Sequence, residues 1–142
     1  LSMKILLLSL PLKTKKTKVT NRFLNYLVFE DDVQNTLIQK RIEKGIWQSL
    51  YEFPLIETDR DVNLEKLIQL LSNQFSEEYT IVSVENFQSI PIRHKLSHQN
   101  LSIQFWKIRI KGILKNGLPH SEVRKFPFPI VIFNFIKQDL LH

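Results

Sequence analysis

No cysteine occurs anywhere in the 142 residues. That excludes disulfides, thiolate zinc sites, a cysteine nucleophile and iron–sulfur ligation by this chain, and it favours a reducing, intracellular setting. Three glycines are too few for a glycine-rich phosphate loop. No run approaches the roughly 20 apolar residues of a membrane-spanning helix. The apolar stretch Ile5 to Leu8 is short and is interrupted at Pro11. It is followed by Lys13-Thr14-Lys15-Lys16-Thr17-Lys18, not by the small-residue cleavage site of a secretory leader. Acid is the scarcer charge, 14 Asp and Glu against 20 Lys and Arg, for a net charge of +6. This balance suits a polyanionic partner without requiring one.

What is present is core material. Hydrophobic residues make up 43% of the chain, with ten Phe, three Tyr and two Trp, enough for one folded domain of ordinary size. Residues 1–18 read as a linker, a short apolar anchor followed by a basic run, and residues 19–142 as the domain. From Asn21 to Glu30 the chain is apolar on both faces, as a central strand should be. Asp31-Asp32 signals a turn, and Thr36 to Arg41 is the expected hairpin partner. Leu64, Leu67, Ile68, Leu71 and Phe75 follow a helical stripe, with Asn63 as N-cap and Glu65 in the first turn.

Two long strands are expected next, over Thr80 to Arg93 and Asn100 to Lys111. In the second, Leu101, Ile103 and Phe105 share one face and Trp106, Ile108 and Ile110 the other. Either its centre is buried on both sides or a bulge near Phe105 flips its phase. Lys115-Asn116-Gly117 is a turn, and Pro129 opens a helix with Ile130, Phe133, Ile136 and Leu140 facing inward. Helices separated by sheet segments give a layered α/β domain.

The segment between the two long strands, Arg93-His94-Lys95-Leu96-Ser97-His98-Gln99, combines cations, imidazoles and a small hydroxyl. Such a loop is either a solvated hairpin tip or a reader in which cations hold phosphate while Ser and backbone amides meet a base edge. His94 and His98 have no Cys or acidic cluster beside them to complete a zinc shell. Ser97 beside His98 lacks an orienting acid and is not a nucleophilic dyad. The run Lys13, Lys15, Lys16, Lys18 and on to Arg22 is either a solvated linker or a counterion-releasing phosphate contact. Trp47, Tyr51 and Phe53 read as core and not as a base-stacking platform.

Gly45-x-Trp47 followed by Phe53-Pro54 resembles the opening of a Nudix hydrolase box. In that family two Gly follow the Pro, and a later helix of the pattern Arg-Glu-apolar-x-Glu-Glu holds magnesium. Here Leu55 and Ile56 follow Pro54, and the helix reads Leu70-Leu71-Ser72-Asn73-Gln74-Phe75. A hard cation that needs oxygen ligands finds no carboxylate on that stretch. An active Nudix pyrophosphohydrolase acting on nucleotides is the alternative that this break argues against. A protein-interaction module with an incidentally basic surface is a third reading.

Four stretches in order resemble the C-terminal domain of MutY-type adenine DNA glycosylases. They are Lys16-Thr17-Lys18 leading to Asn21-Arg22-Phe23-x-Asn25-Tyr26-Leu27-Val28, Gly45-Ile46-Trp47 through Leu50-Tyr51-Glu52-Phe53-Pro54, His94-Lys95-Leu96-Ser97-His98, and Phe126-Pro127-Phe128-Pro129. The resemblance implies an α+β, Nudix-like fold with a mixed central sheet flanked by helices and no hydrolase activity of its own. It implies a base-excision-repair role in which Leu96, Ser97 and His98 read 8-oxoguanine opposite a mispaired adenine. Lys15, Lys16, Lys18, Arg22, Arg93 and Lys95 would meet phosphates. This chain departs from the family's Phe-Ser-His loop by having Leu96 at the first position. The implied partners are double-stranded DNA carrying the 8-oxoguanine:adenine mispair and a catalytic domain of the same chain. That domain would remove the adenine and hold a 4Fe-4S cluster, whereas no cofactor or metal is expected within these residues. A monomer in the bacterial cytoplasm, at the nucleoid, is the implied setting.

Overall fold

The computed structural model describes residues 18–140. Strand β1 (Thr20–Glu30) is followed by the short strands β2 (Asn35–Thr36), β3 (Gln39–Lys40) and β4 (Tyr51–Glu52), then by β5 (Leu55–Thr58) and helix α1 (Leu64–Phe75). Next come β6 (Thr80–Asn86), β7 (Ile92–Lys95) and the long β8 (Gln99–Lys111). The chain closes with β9 (Leu118–Pro119), a single helical turn α2 (His120–Val123) and α3 (Ile130–Phe135), which runs into a π-helical turn over Ile136–Leu140.

The main sheet has five strands in the order β5-β1-β8-β6, with β7 also paired to β8. β1 and β8 run parallel, and β5, β6 and β7 pair antiparallel, so the sheet is mixed and the domain is α+β. Two expectations change here. Thr36 to Arg41 is not the hairpin partner of β1, because β2 pairs with β9 and β3 with β4. The strand expected over Thr80 to Arg93 is two strands. Asn86 turns the chain by accepting the Gln88 amide on its side chain at 3.0 Å, and Pro91, which has no N–H to donate to a ladder, precedes β7. β6 and β7 then lie end to end along the same edge of β8.

β8 explains how the layers are arranged. Its residues from Leu101 to Trp106 are all buried, and its pairing with β1 runs without a register break past Phe105. The double-sided burial left open by the sequence is therefore what occurs; the bulge lies in β6 instead, between Ile81 and Ser83. Leu101, Ile103 and Phe105 join Leu24, Tyr26 and Val28 against Val131, Ile132, Phe135, Ile136 and Leu140. On the other face Trp106, Ile108 and Ile110 join Leu27 and Phe29 against Leu67 and Leu71 of α1. α3 and α1 thus cover diagonally opposite halves of the sheet.

α1 begins where expected: the Asn63 side chain accepts from the Lys66 amide at 2.8 Å. Its buried residues are Leu67 and Leu71, while Leu64 and Ile68 at the edges of the stripe are exposed. The α3 stripe is rotated from its expected phase. Ile130 and Phe133 face solvent, and Val131, Ile132, Phe135, Ile136 and Leu140 face the sheet. Phe53 is fully buried, and Trp47 packs on the same core, as the aromatic composition of that segment suggested. Asn116, with φ 64°, makes the expected turn before Gly117.

The turn at Asp31 is held by a buried carboxylate. Asp31 Oδ1 accepts from the amides of Val33 at 3.0 Å and Asn35 at 2.8 Å, and Oδ2 accepts from the Leu114 amide at 2.8 Å. Burial pushes its pKa up, but the backbone donors outweigh burial and hold it below the usual carboxylate value. A depressed folded pKa contributes stability that is fully present above the unfolded value, about 3.9, and is lost as pH falls through the folded one. Asp31→Asn should cost about 2 kcal/mol at neutral pH, because an amide group must then face a backbone donor. The difference from the parent chain in urea-denaturation free energy should shrink as pH is lowered below about 4; a pH-independent difference would mean the carboxylate's charge is not what matters.

Candidate functional site

β7 and β8 form a hairpin whose strands pair Ile92 with Ile103, Arg93 with Ser102, His94 with Leu101 and Lys95 with Asn100. The Leu96 amide donates to the Gln99 carbonyl at 2.8 Å, leaving Ser97 and His98 as the exposed tip. Their backbone carbonyl side is anchored: the Thr20 amide donates to the His98 carbonyl at 3.0 Å, tying the tip to the start of β1. Among the described residues Ser97 makes no side-chain hydrogen bond, so its hydroxyl faces solvent.

Alternation along β7 sorts its side chains. Ile92, the half-buried His94 and Leu96 belong to the face covered by α3. Leu96 packs on that core, and the His94 ring lies tilted against Trp47 with centroids 6.3 Å apart. Arg93 and Lys95 project to the opposite face. Of the three residues expected at the lesion, Ser97 and His98 are therefore presented together, and Leu96 is turned back as a support for the hairpin.

The expected phosphate contacts fall in different places. Lys95 and Lys18 are exposed. The Arg93 guanidinium reaches Asp61 at 3.2 Å while remaining 66% exposed, and Asp61 also accepts from the Ser102 hydroxyl. Arg22 is bound more fully. Its Nε and Nη2 each lie 2.8 Å from Glu57 carboxylate oxygens, and Nη1 donates to Gln99 at 3.1 Å. The Arg22 bond lowers the Glu57 pKa and the Glu57 bond raises that of Arg22, so this arginine's charge is largely matched within the domain. Lys15 and Lys16 lie outside the described residues.

A groove of about 410 Å³ lies on the face of Arg93 and Lys95, both of which line it. Arg22, His94 and Leu101 also border it, and its lining takes in Asn21, Phe23, Asn100 and Ser102. None of these four had been marked as functional; the signal was the polar alternation Asn100-x-Ser102-x-Gln104 opposite apolar neighbours in β8. Elsewhere, α1 carries one acid, Glu65 in the first turn, and its later positions Ser72, Asn73 and Gln74 are exposed amides and hydroxyl. Those groups are neutral and bring no carboxylate to balance a hard, multiply charged cation. Among the described residues no group of three or more His, Cys, Asp or Glu is placed to hold a metal ion, and no helix is long and apolar enough to cross a membrane.

Solved structures with the same fold include the Escherichia coli ORF135 protein, with a TM-score of 0.58 at 15% identity over 84% of this chain and 88% of that one. The C-terminal domain of mouse MUTYH, in its complex with human PCNA, gives 0.55 at 13% identity over 83% of this chain and 88% of that one. The MutT protein of Methanosarcina mazei Go1 gives 0.53 at 9% identity over 87% and 95%. At such identities the likeness shows the fold alone. The family model described as the NUDIX domain matches residues 25–138, from the middle of β1 into the π-helical turn after α3, and the chain therefore belongs to the Nudix domain family.

Proposed function

We propose that this Nudix domain is a non-catalytic DNA-reading module, the lesion-recognition part of a MutY-type adenine glycosylase. The observation that carries the reading is the hairpin tip, where Ser97 and His98 stand exposed above the cations Lys95 and Arg93. In the geometry proposed, Lys95, Arg93 and the linker lysines hold phosphates, and Ser97 meets the Hoogsteen edge of the base. Guanine N7 is an acceptor, whereas 8-oxoguanine carries a proton on N7 and an oxygen on C8. The Ser97 hydroxyl accepts from that proton and its backbone amide donates to the oxygen. A paired contact of this type is worth roughly 1–3 kcal/mol of discrimination.

The helix that serves magnesium in Nudix hydrolases offers Ser72, Asn73 and Gln74 here, which supports a module that binds and does not hydrolyse. Adenine extrusion and glycosidic cleavage then belong to a catalytic domain of the same protein, the intended partner along with duplex DNA. A linked module of this kind works through a high effective concentration and binds weakly alone.

The test is an NMR titration of the chain with two duplexes, one with 8-oxoguanine opposite adenine and one with guanine there. Larger shifts from Arg93 to Gln99 with the lesion are expected. Ser97→Ala should reduce the preference for the lesion by about three- to tenfold, the loss of one half of a bidentate contact. Equal shifts spread over the lysines and erased by salt would reduce the domain to an electrostatic tether.

A further inference from the structure

On the α1 side, no helix covers the half of the sheet face at the start of β1 and β8; the Asp61–Val62 segment crosses its inner edge, accepting from Ser102 and Gln104, and beyond it the face is open. There three neighbouring strands align their side chains in rows. Asn21, Asn100 and Lys95 form one row, and Phe23, Ser102 and Arg93 the next. With strands about 4.8 Å apart and same-face residues about 7 Å apart along each strand, these six side chains span roughly the area of one nucleotide. Together they line the 410 Å³ groove.

The chemistry of the rows is mixed in a specific way. Phe23 is half-buried at the floor, an aromatic ring on a sheet face that is otherwise polar at this end. The Asn100 Nδ2 donates to the Asn21 Oδ1 at 3.3 Å. This leaves an amide donor on Asn21 and a carbonyl acceptor on Asn100, the pair that meets a donor–acceptor base edge. Lys95 is exposed and forms no ion pair among the described residues. Arg93 keeps most of its surface in solvent beside its Asp61 contact. An aromatic floor beside sequence-reading amides and cations is the composition of a single-stranded nucleic-acid platform.

We propose that this groove binds an unpaired nucleotide, its base lying over Phe23 against Asn21 and Asn100 and its phosphate against Lys95 and Arg93. The inference rests on the DNA reading of the adjoining hairpin and adds a second site to it. A duplex end, a flap or a base displaced near the lesion supplies such a nucleotide. Phe23 and the two amides contribute little to intact duplex, whose bases are already stacked.

The experiment is a titration of the whole chain with an eight-nucleotide single strand of ordinary bases and with an abasic strand of equal length, followed by NMR. Saturable shifts of the Asn21 and Asn100 side-chain amides and of the Phe23 ring are expected, with the base-bearing strand bound about tenfold more tightly. Phe23→Leu, which keeps apolar bulk, should remove most of that difference. Lys95→Glu should weaken both strands and leave the difference. Equal affinity for the two strands, no saturable binding, or an unchanged preference in Phe23→Leu overturns the proposal. If the lesion duplex still shifts Ser97 and His98 while the single strand is silent, this site fails and the lesion-reading hairpin stands. If neither DNA binds, both fall.

Discussion

Phe105→Ala is expected to lower the unfolding free energy by about 3–5 kcal/mol, the usual range for emptying a buried aromatic site. Phe105 is fully buried and stands where β8 meets α3. Its ring stacks on Phe135 with centroids 3.9 Å apart and 3° between planes. Tyr26 stacks on it at 5.6 Å, and Phe53 meets it edge-on at 6.4 Å. Truncation therefore removes one member from a four-ring cluster that links β1, β8, α3 and the segment before β5. Tyr26 and Phe135 are held by β1 and α3, and Phe53 by the link between β4 and β5, so the space collapses only in part. Domains of this size are stable by about 5–15 kcal/mol, so the variant should sit near the edge of folding. The check is a urea-denaturation curve, with the midpoint shifted down and the slope retained. A loss below about 1 kcal/mol would mean that α3 settles into the space, and that the ring stack contributes less than its geometry implies.

Arg41→Ala should cost about 3–5 kcal/mol by leaving a buried carboxylate without its cation. Arg41 Nη1 lies 2.8 Å from Glu52 Oε1, with side chains only 15% and 5% exposed. Its Nε donates to the Ile46 carbonyl at 3.3 Å, and Gln39 donates to the other Glu52 oxygen at 2.9 Å. This pair closes the β3–β4 sheet and braces the loop that carries Trp47 at φ 62°, the ring on which His94 rests. The fully buried Tyr26 belongs to the same neighbourhood. Burial, and after it the Glu52 charge, hold its hydroxyl protonated far above the usual phenol range. The added variant Glu52→Gln should restore about half of the loss, because a neutral amide needs no cation. Absence of any rescue in the double variant would place the cost in lost packing of the Arg41 stem instead of in the stranded charge.

These effects bear on the site through the hairpin. His94 and Leu96 reach back into the core that Phe105 and Arg41 organise, while Arg93 and Lys95 project away from it. Loosening that core should therefore broaden the NMR signals of Ser97 and His98 before it alters the exposed cations.

Several features were legible in the residues alone because they are decided within a few positions. The long strands β1 and β8 follow from their apolar runs. The start of α1 follows from Asn63 as its cap, and the turns follow from Asp31 and from Asn116 before Gly117. The tip Ser97-His98 is bracketed by two strand patterns, and the uncharged run Ser72, Asn73 and Gln74 in α1 is plain in the sequence. The two-sided pattern of β8 was visible as well, although its meaning was not.

Other features depend on which segments become neighbours. Asn21 and Asn100 meet only because β1 and β8 pair in parallel, and no local signal sets that register. The short strands β2, β3, β4 and β9 have too few residues to show a period, so their partners were not predictable. The phase of α3 follows from the face that the Phe135 ring finds on Phe105, and this turned Ile130 and Phe133 outward. Leu96, grouped with Ser97 and His98 as one recognition loop from its sequence, packs on the α3-side core because strand alternation along the hairpin turns it there. The residues by themselves determined a basic, cysteine-free Nudix-type domain whose first helix carries a single acid, Glu65, because composition and short motifs act locally. Only the tertiary structure decided that Phe23, Asn21, Asn100, Arg93 and Lys95 share one groove, because long-range strand register and the diagonal placement of two helices bring them to the same open half of the sheet.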